Sequence, residues 1–521
     1  MLPGQRGTSP ASRSPHSAHS ASLATHGPAL PPRAQPSSPS RITPDIFTFH
    51  RSPGPRHRTA HEAGRRAAAA RLWYITPGRV CQRVTDDPPR QGSIAPMSNL
   101  RSNIVTWLGR KYFTKIQKNG FDLSKMSFLP DATLAPLKRD GLDPVADLSK
   151  TRAKEPISKI WLPFGINGWL VTGYDETKAV LGKAKGFSSD FTNLAEKAVG
   201  VAEQQHPGGL GFSDPPTHTR LRRLLTPEFT MRRLSRLTPR IHAIVEERLD
   251  EMAAAEGPVD LVEMFALPIP ALVICELLGV PYEDRDDFQR YSTARFDLFG
   301  GANASLGAMS DSLTYLHGIV RKQRESPGDG LLGMLVKEHG DEIDDQELAG
   351  LADGVLTGGL ETTASMLALG TLVLLQAPEQ FAAVRDQEDV VDRFVDELLR
   401  YLSVVQVAFP RFAREDMEIA GTKISAGDLV LCSLSGANRD EKLGPDMERV
   451  DPHRQTASHL AFGHGIHRCI GAELAKMELR AAYPALVRRF PEMRLAVDAD
   501  KLKYRKLSIV YGVDALPVTL R

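Results

Sequence analysis

The segment Phe462-Gly-His-Gly-Ile-His-Arg-Cys-Ile-Gly471 places one cysteine, Cys469, among three glycines. Its spacing is Phe-x-x-Gly-x-His-x-Cys-x-Gly, and a helical run, Ala472–Glu478, follows at once. A helix N-terminus aims partial positive charge and unpaired N–H groups at the sulfur. Both favour the thiolate, the form that binds metal. Gly465 and Gly471 permit positive φ or close approach of the backbone to a flat ligand. Phe462 can shield a metal–sulfur bond from water. A lone cysteine is more often a small buried hydrophobe, and Cys275 and Cys432 are read that way. His459, His464 and His467 with Cys469 offer an alternative, a zinc site. Zinc ligands usually come in pairs at short spacing, and the two glycines would then lack an explanation.

Working outward, a mostly apolar run extends from about Asp345 to Gln376, with Asp344 or Asp345 to cap it and Pro378 just past its end. A helix this long and apolar should cross the centre of its domain. It contains Gly358-Gly-Leu-Glu-Thr-Thr363. Each mid-helix glycine costs about 1 kcal/mol relative to alanine. Gly358 and Gly359 therefore imply either tight helix packing or a close approach to the backbone. Gly358 and Thr362 share one face. Glu361 is an acid in apolar surroundings, where a carboxylate needs a partner or a role. Glu397-Leu-Leu-Arg400 sets an acid and a base on one helix face. His218-Thr-Arg-Leu-Arg222 does the same for two bases, which also suits an exposed basic helix. Ile241, Ile244, Val245, Leu249 and Met252 mark an amphipathic helix. Trp169–Val171 and Ile424–Leu431 read as short strands. The fold class is mainly α with small β-sheets.

In these motifs and their order the chain resembles the cytochrome P-450 superfamily, particularly its soluble bacterial members, over roughly Met97 to Arg521. The resemblance implies the family's fold, a triangular helical prism around a buried haem. It implies haem b (iron protoporphyrin IX) as cofactor and Cys469 as the iron ligand, with Phe462, Gly465 and Gly471 shaping that loop and Gly358 and Gly359 the opposite face. Thiolate ligation favours O–O cleavage. Thr362 would hydrogen-bond oxygen on the distal side and Glu361 would relay protons from solvent, a pair suited to delivering two protons before that bond breaks. His218, Arg222, Arg411 and His467 would hold the propionates through charge-assisted bonds. Glu397, Arg400 and Arg454, the last from Asp451-Pro-His-Arg454, would form a structural ion-pair set serving folding and haem retention.

The activity so implied is a monooxygenase that uses O2 to hydroxylate an organic substrate. No flavin or iron–sulfur domain is expected in the chain, so electrons would come from a ferredoxin and its reductase. Arg468, Lys476 and Arg480 would meet an acidic ferredoxin. Family topology lines the pocket with residues 187–211, 296–299, 355–359, 404–409 and 507–510. Their many Phe, Val, Leu and Ile residues imply an apolar substrate, although ordinary core residues would look the same. Lys183 and Lys185 near the presumed entrance favour a fatty acid or similar lipid.

The composition is compatible with this reading. The 521 residues are 41% hydrophobic, and a net charge of +2 makes no case for nucleic acid. The charge is uneven: of 65 bases and 63 acids, thirteen Arg and four acids fall in residues 1–96, which leaves the remainder at −7. Residues 1–96 are rich in Ser, Pro, Arg and Ala and cannot bury enough surface to offset chain entropy. They read as a disordered tail, a targeting peptide or a non-native extension before a start at Met97. Residues 97–521 read as one catalytic domain. The four cysteines form no disulfide framework, and no apolar run suggests a membrane span. A cytoplasmic monomer is expected.

Overall fold

The computed structural model describes residues 130–162, 167–190, 210–280, 284, 306–454 and 458–521, with side chains from 313 onward in the segment beginning at 306. All lie in one unit, Gly92–Arg521. The N-terminal extension, residues 1–96, falls outside the described residues. So do 191–209 and 296–299 of the expected pocket.

Eight helices matter for the site: α1 (Tyr174–Gly182), α2 (Thr217–Leu225), α3 (Thr238–Ala254), α4 (Pro268–Leu278), α5 (Leu306–Glu325), α6 (Asp345–Gln376), α7 (Val391–Leu402) and α8 (Ala472–Arg489). Helix α6 is the axis. Its 32 residues span roughly 48 Å at the α-helical rise. Asp344 caps it by accepting from the Glu347 N–H at 2.8 Å, and Asp345 and Glu347 oppose the dipole in the first turn. Helices α4, α5, α7 and α8 pack around it, and residues 363–374 are buried on every side. It is long and apolar enough to cross a membrane, but 78% of its apolar window is buried inside the protein. That marks a core helix. Gly370 lets α8 cross closely: a Cβ there would meet the Tyr483 hydroxyl, which donates to the Met366 carbonyl at 2.5 Å. The stripe expected on α3, from Ile241 to Met252, is wholly buried against this core.

The strands are short, as expected: β1 (Ile157–Trp161), β2 (Asn167–Val171), β3 (Phe187–Ser188), β4 (Val259–Asp260), β5 (Arg411–Ala413), β6 (Met417–Ile419), β7 (Thr422–Ile424), β8 (Leu429–Cys432), β9 (Arg494–Leu495) and β10 (Pro517–Thr519). The main sheet runs β1-β2-β8-β5-β3, and only the β2–β8 pair is parallel. A smaller sheet, β9-β10-β4, joins the C-terminus to the end of α3. The single strand expected over Ile424–Leu431 is in fact two. Residues 425–428 turn the chain, with Gly427 at φ +87° and the Asp428 N–H bonded to the Ser425 carbonyl. The break is Ser425-Ala-Gly-Asp428, and the apolar residues on either side of it read as one strand.

Candidate active site

The cysteine loop leads into α8 and packs against α1. Gly465 is needed where it stands: its φ is +73°, and a Cβ would lie 2.3 Å from the Leu181 carbonyl oxygen. Gly471 is not. Its φ is −85°, and a Cβ would find its first neighbour, Phe229, at 3.9 Å. Its contribution is its N–H, which bonds to Cys469. The Cys469 N–H donates to the Phe462 carbonyl at 2.9 Å and closes the loop. Phe462 is half-buried against the core. Cys469 is accessible yet crowded by protein: burial pushes its thiol upward, against the Gly471 N–H, Arg468 and Arg222. Together these describe the floor of a recess. The thiolate-favouring groups expected are present, but burial outweighs them, and metal coordination would supply the rest. The zinc alternative finds no support. Among the described residues, no group of three or more His, Cys, Asp and Glu is placed to hold a metal ion.

Two arginines, Arg222 and Arg411, and two histidines, His218 and His467, meet beside this loop. The His218 and His467 rings are 4.3 Å apart. Arg411 is buried and donates to the Phe409 carbonyl at 2.8 Å. Burial pushes His467 down to about 3, helped by Arg411 and His218 and, more weakly, Arg222. Burial, then Arg222, lowers His218. His218 is therefore no exposed basic residue: it is 2% accessible, and neither ring nitrogen has a hydrogen-bond partner among the described residues. A buried polar group of that kind requires an explanation. The one acid in the group, Asp214, is already engaged by Ser188, the Ser189 N–H and Arg414. Ser189 Oγ also lies 3.2 Å from His467 Nε2. This donor set can hold a ligand carrying carboxylates, and with the Cys469 thiol it fits haem b.

On α6 the two glycines divide the explanations between them. A Cβ on Gly359 would touch Ile274 at 3.0 Å, so Gly359 serves helix packing. A Cβ on Gly358 would meet nothing within 4 Å among the described residues outside its own helix, although it sits mid-way along a core helix. Thr362, one turn on, is half-exposed and donates to the Gly358 carbonyl at 2.7 Å. Glu361 is buried and paired with Arg505, Nη1 to Oε1 at 3.1 Å. Burial pushes its carboxyl up to about 7 even so.

Glu397, Arg400 and Arg454 come together as expected. Arg400 meets both Glu397 oxygens at 2.8 Å, and Arg454 Nε reaches Oε1 at 3.0 Å. Arg400 also donates to the carbonyls of Asn438, Met447 and Arg449. The pocket segments are only partly a lining. Val404 and Val407 belong to the core, and residues 404–406 pair with 509–511 around the Val405–Val510 bridge. Phe409 and Ile509 remain about half exposed. Two of the cations expected to meet a ferredoxin are already engaged: Lys476 binds Asp396 at 2.6 Å and Arg480 binds Asp392 at 2.7 Å. Sequence reasoning passed over Arg505, Ser189 and Arg414. Each reaches its partner across at least 25 residues, and no local pattern announces such a contact.

A sequence model described as Cytochrome P450 matches residues 147–326 and 319–510. The chain belongs to the cytochrome P450 family. It is 44% identical over 352 residues to Cytochrome P450 165C4 of Amycolatopsis orientalis, covering 67% of this chain and 86% of that protein. Among solved structures, P450 StaH from glycopeptide antibiotic A47934 biosynthesis aligns with TM-score 0.66 and 42% identity, over 74% of this chain and 99% of that one. Streptomyces peucetius CYP105P2, in complex with a biphenyl compound, aligns with TM-score 0.69 and 39% identity, over 74% and 98%. This P450 is thus a bacterial-type monooxygenase with haem b as its cofactor. It uses O2, an organic substrate and electrons from redox partners, and the helical fold with small sheets is the family's.

Proposed function

We propose that Cys469 ligates the haem iron and that this P450 hydroxylates an apolar organic molecule with electrons from a ferredoxin and its reductase. The observation that carries the reading is the meeting of His218, Arg222, Arg411 and His467 beside the cysteine loop, with both His218 nitrogens unpartnered among the described residues. Arg222 and Arg411 are fixed cations, and His218 and His467, pushed toward their neutral forms by burial and by those arginines, keep ring N–H donors; both kinds suit the two propionates. When bound, haem supplies the oxygen-activating chemistry. The protein's part is to hold it, exclude water and move protons. Phe462 covers the sulfur side. Gly358 leaves room on α6, where Thr362 presents its hydroxyl. Glu361, with its carboxyl near neutrality, can exchange a proton at working pH. We infer that Thr362→Ala releases several-fold more peroxide per NAD(P)H oxidised; unchanged coupling would remove Thr362 from the relay.

Exposed Phe409 and Ile509 support an apolar substrate, and exposed Lys183 and Lys185 support a carboxylate-bearing lipid such as a fatty acid. The likeness to StaH favours a second reading, tailoring of a peptide antibiotic precursor. The thiols of Cys432 and Cys469, which form no disulfide, suit a reducing cytoplasm. The deciding experiment is a visible titration of the ferric protein with fatty acids, terpenes, steroids and aromatic peptides. A low-spin to high-spin Soret shift names the class. A thiolate spectrum that fatty acids never perturb discards the lipid, and a protein without a haem-thiolate spectrum overturns the reading of Cys469.

A further inference from the structure

Glu361 looks unsupported in the sequence, but its partner comes from 144 residues away. Residues 504–514 fold back on themselves: Tyr504 bridges Val513, and the Arg505 N–H donates to the Gly512 carbonyl at 2.9 Å. This turn lies against α6. A Cβ on Gly512 would sit 2.8 Å from Ser365 Oγ and 3.3 Å from the Arg505 guanidinium. Ser365 is one helical turn beyond Glu361, on the same face. The turn therefore docks where it can deliver Arg505 to Glu361. Arg505 Nη1 donates to Glu361 at 3.1 Å, and Nη2 to the Val513 carbonyl at 3.3 Å. Its Nε lies 3.8 Å from Asp514, whose carboxylate is 57% exposed, whereas the Arg505 and Glu361 side chains are 3% and 6% exposed. One guanidinium stands between an inner and an outer carboxylate. Among the described residues these are the charged groups that face Glu361 and its partner.

A buried ion pair is weak as a stabilising device, because desolvation offsets most of its attraction. Its placement beside Thr362 suggests another use. We propose that Arg505 is the positioning residue for proton delivery: it fixes the Glu361 carboxyl on the turn of α6 that carries Thr362 and couples its charge to the solvent-exposed Asp514. The inference rests on Glu361 being the proton donor. Arginine keeps its protons throughout. When Glu361 gives up its proton, the carboxylate draws the guanidinium inward. When Glu361 takes a proton back from solvent water, the guanidinium relaxes toward Asp514. One proton enters from solvent for each one delivered, and no other bond changes.

The test uses the full-length haem-loaded protein and two readouts. The first is the infrared carboxyl band of Glu361, assigned by its loss in Glu361→Gln and followed against pH in the ferric state. The second is peroxide released per NADH with a plant-type ferredoxin and its reductase. Arg505→Gln should move the midpoint of the band to higher pH and raise peroxide several-fold, and Arg505→Lys should restore both in part. Asp514→Asn, at an exposed position that folding tolerates, should move the midpoint to lower pH, because the guanidinium then belongs to Glu361 alone. A midpoint unmoved in a folded Arg505→Gln protein, or in Asp514→Asn, overturns the link. If instead the midpoint moves as stated but Glu361→Gln leaves peroxide unchanged, the link stands and the donor role of Glu361 fails.

Discussion

Two clusters of ionisable groups in this P450 are each built around a pair of arginines and end in opposite conditions. In the first, Arg400 and Arg454 converge on Glu397, and Arg400 spends its remaining N–H groups on three backbone carbonyls. Every charge is answered from within the chain. In the second, His218, Arg222, Arg411 and His467 converge on one another, and the acid beside them is occupied elsewhere. The protonated forms of the two histidines are suppressed by burial and by repulsion within the cluster. A satisfied cluster is scaffold. An unsatisfied one of equal burial marks where something from outside the chain belongs. Glu361 stands between these cases, with one partner and a carboxyl still held near neutrality.

The satisfied cluster should give the largest effect. Removing one member of a buried ion pair leaves the other uncompensated and costs about 3–5 kcal/mol. Arg400→Ala should lose that much in urea unfolding, or fail to accumulate as holoprotein. A loss below about 1 kcal/mol would mean that the network behaves as surface pairs do, and the contrast between the clusters would collapse.

Glu361 should give a somewhat smaller effect that depends on pH. Its folded carboxyl is raised to about 7, above the unfolded value of roughly 4.3. The neutral form is what the fold prefers, so the stability is fully present below the unfolded pKa and is lost as pH rises through 7. Across that window the wild type should lose about 3 kcal/mol relative to Glu361→Gln. Parallel stability curves for the two proteins from pH ~4.5 to ~8 would show an ordinary carboxyl.

The unsatisfied cluster should respond less in folding than in cofactor retention. Hydrogen bonds to charged groups contribute about 1.5–3 kcal/mol, so Arg411→Ala should release haem to apomyoglobin roughly ten- to a hundredfold faster. Its unfolding without haem should change little, since removing the Arg411 charge also relieves the repulsion that disfavours protonation of His218 and His467. A folded apoprotein as badly damaged as Arg400→Ala would place Arg411 with the scaffold.

What the sequence disclosed divides along a related line. Helix α6 was legible from Asp345 to Gln376 because its cap, its apolar run and the proline beyond it are all local. The Cys469 loop was legible because its spacing is. Burial and pairing across the fold were not. His218 and Arg222 equally suited an exposed helix until His218 proved buried. Gly471 reads in the sequence as permitting positive φ or close approach to a flat ligand, and its φ is −85°, because a glycine's φ is set by the packing around it rather than by its identity. The strand over Ile424–Leu431 concealed a turn, since apolar residues flank both sides of it. Arg505 gave no signal: the contact that matters joins the C-terminal turn to the middle of α6.

The smallest predicted effect concerns the surface around the cysteine loop, and it carries the contrast to the outside of the molecule. Lys476 is only 14% exposed and tied to Asp396, and Arg480 is tied to Asp392. Arg468 is exposed, one residue before the cysteine. A cation already neutralised by its neighbour adds little to long-range steering, whereas an exposed one adds to the field a partner meets. Exposed charges contribute about 0–1 kcal/mol each. Arg468→Ala should therefore slow the first electron transfer from an acidic ferredoxin by up to roughly fivefold at low salt, with the difference fading toward 0.5 M or so as screening grows. Lys476→Ala should fall well short of that. Stopped-flow reduction under carbon monoxide reads both directly. Were Lys476→Ala the slower of the two, its pair with Asp396 would have to open on docking, and the paired cations would belong to the interface after all.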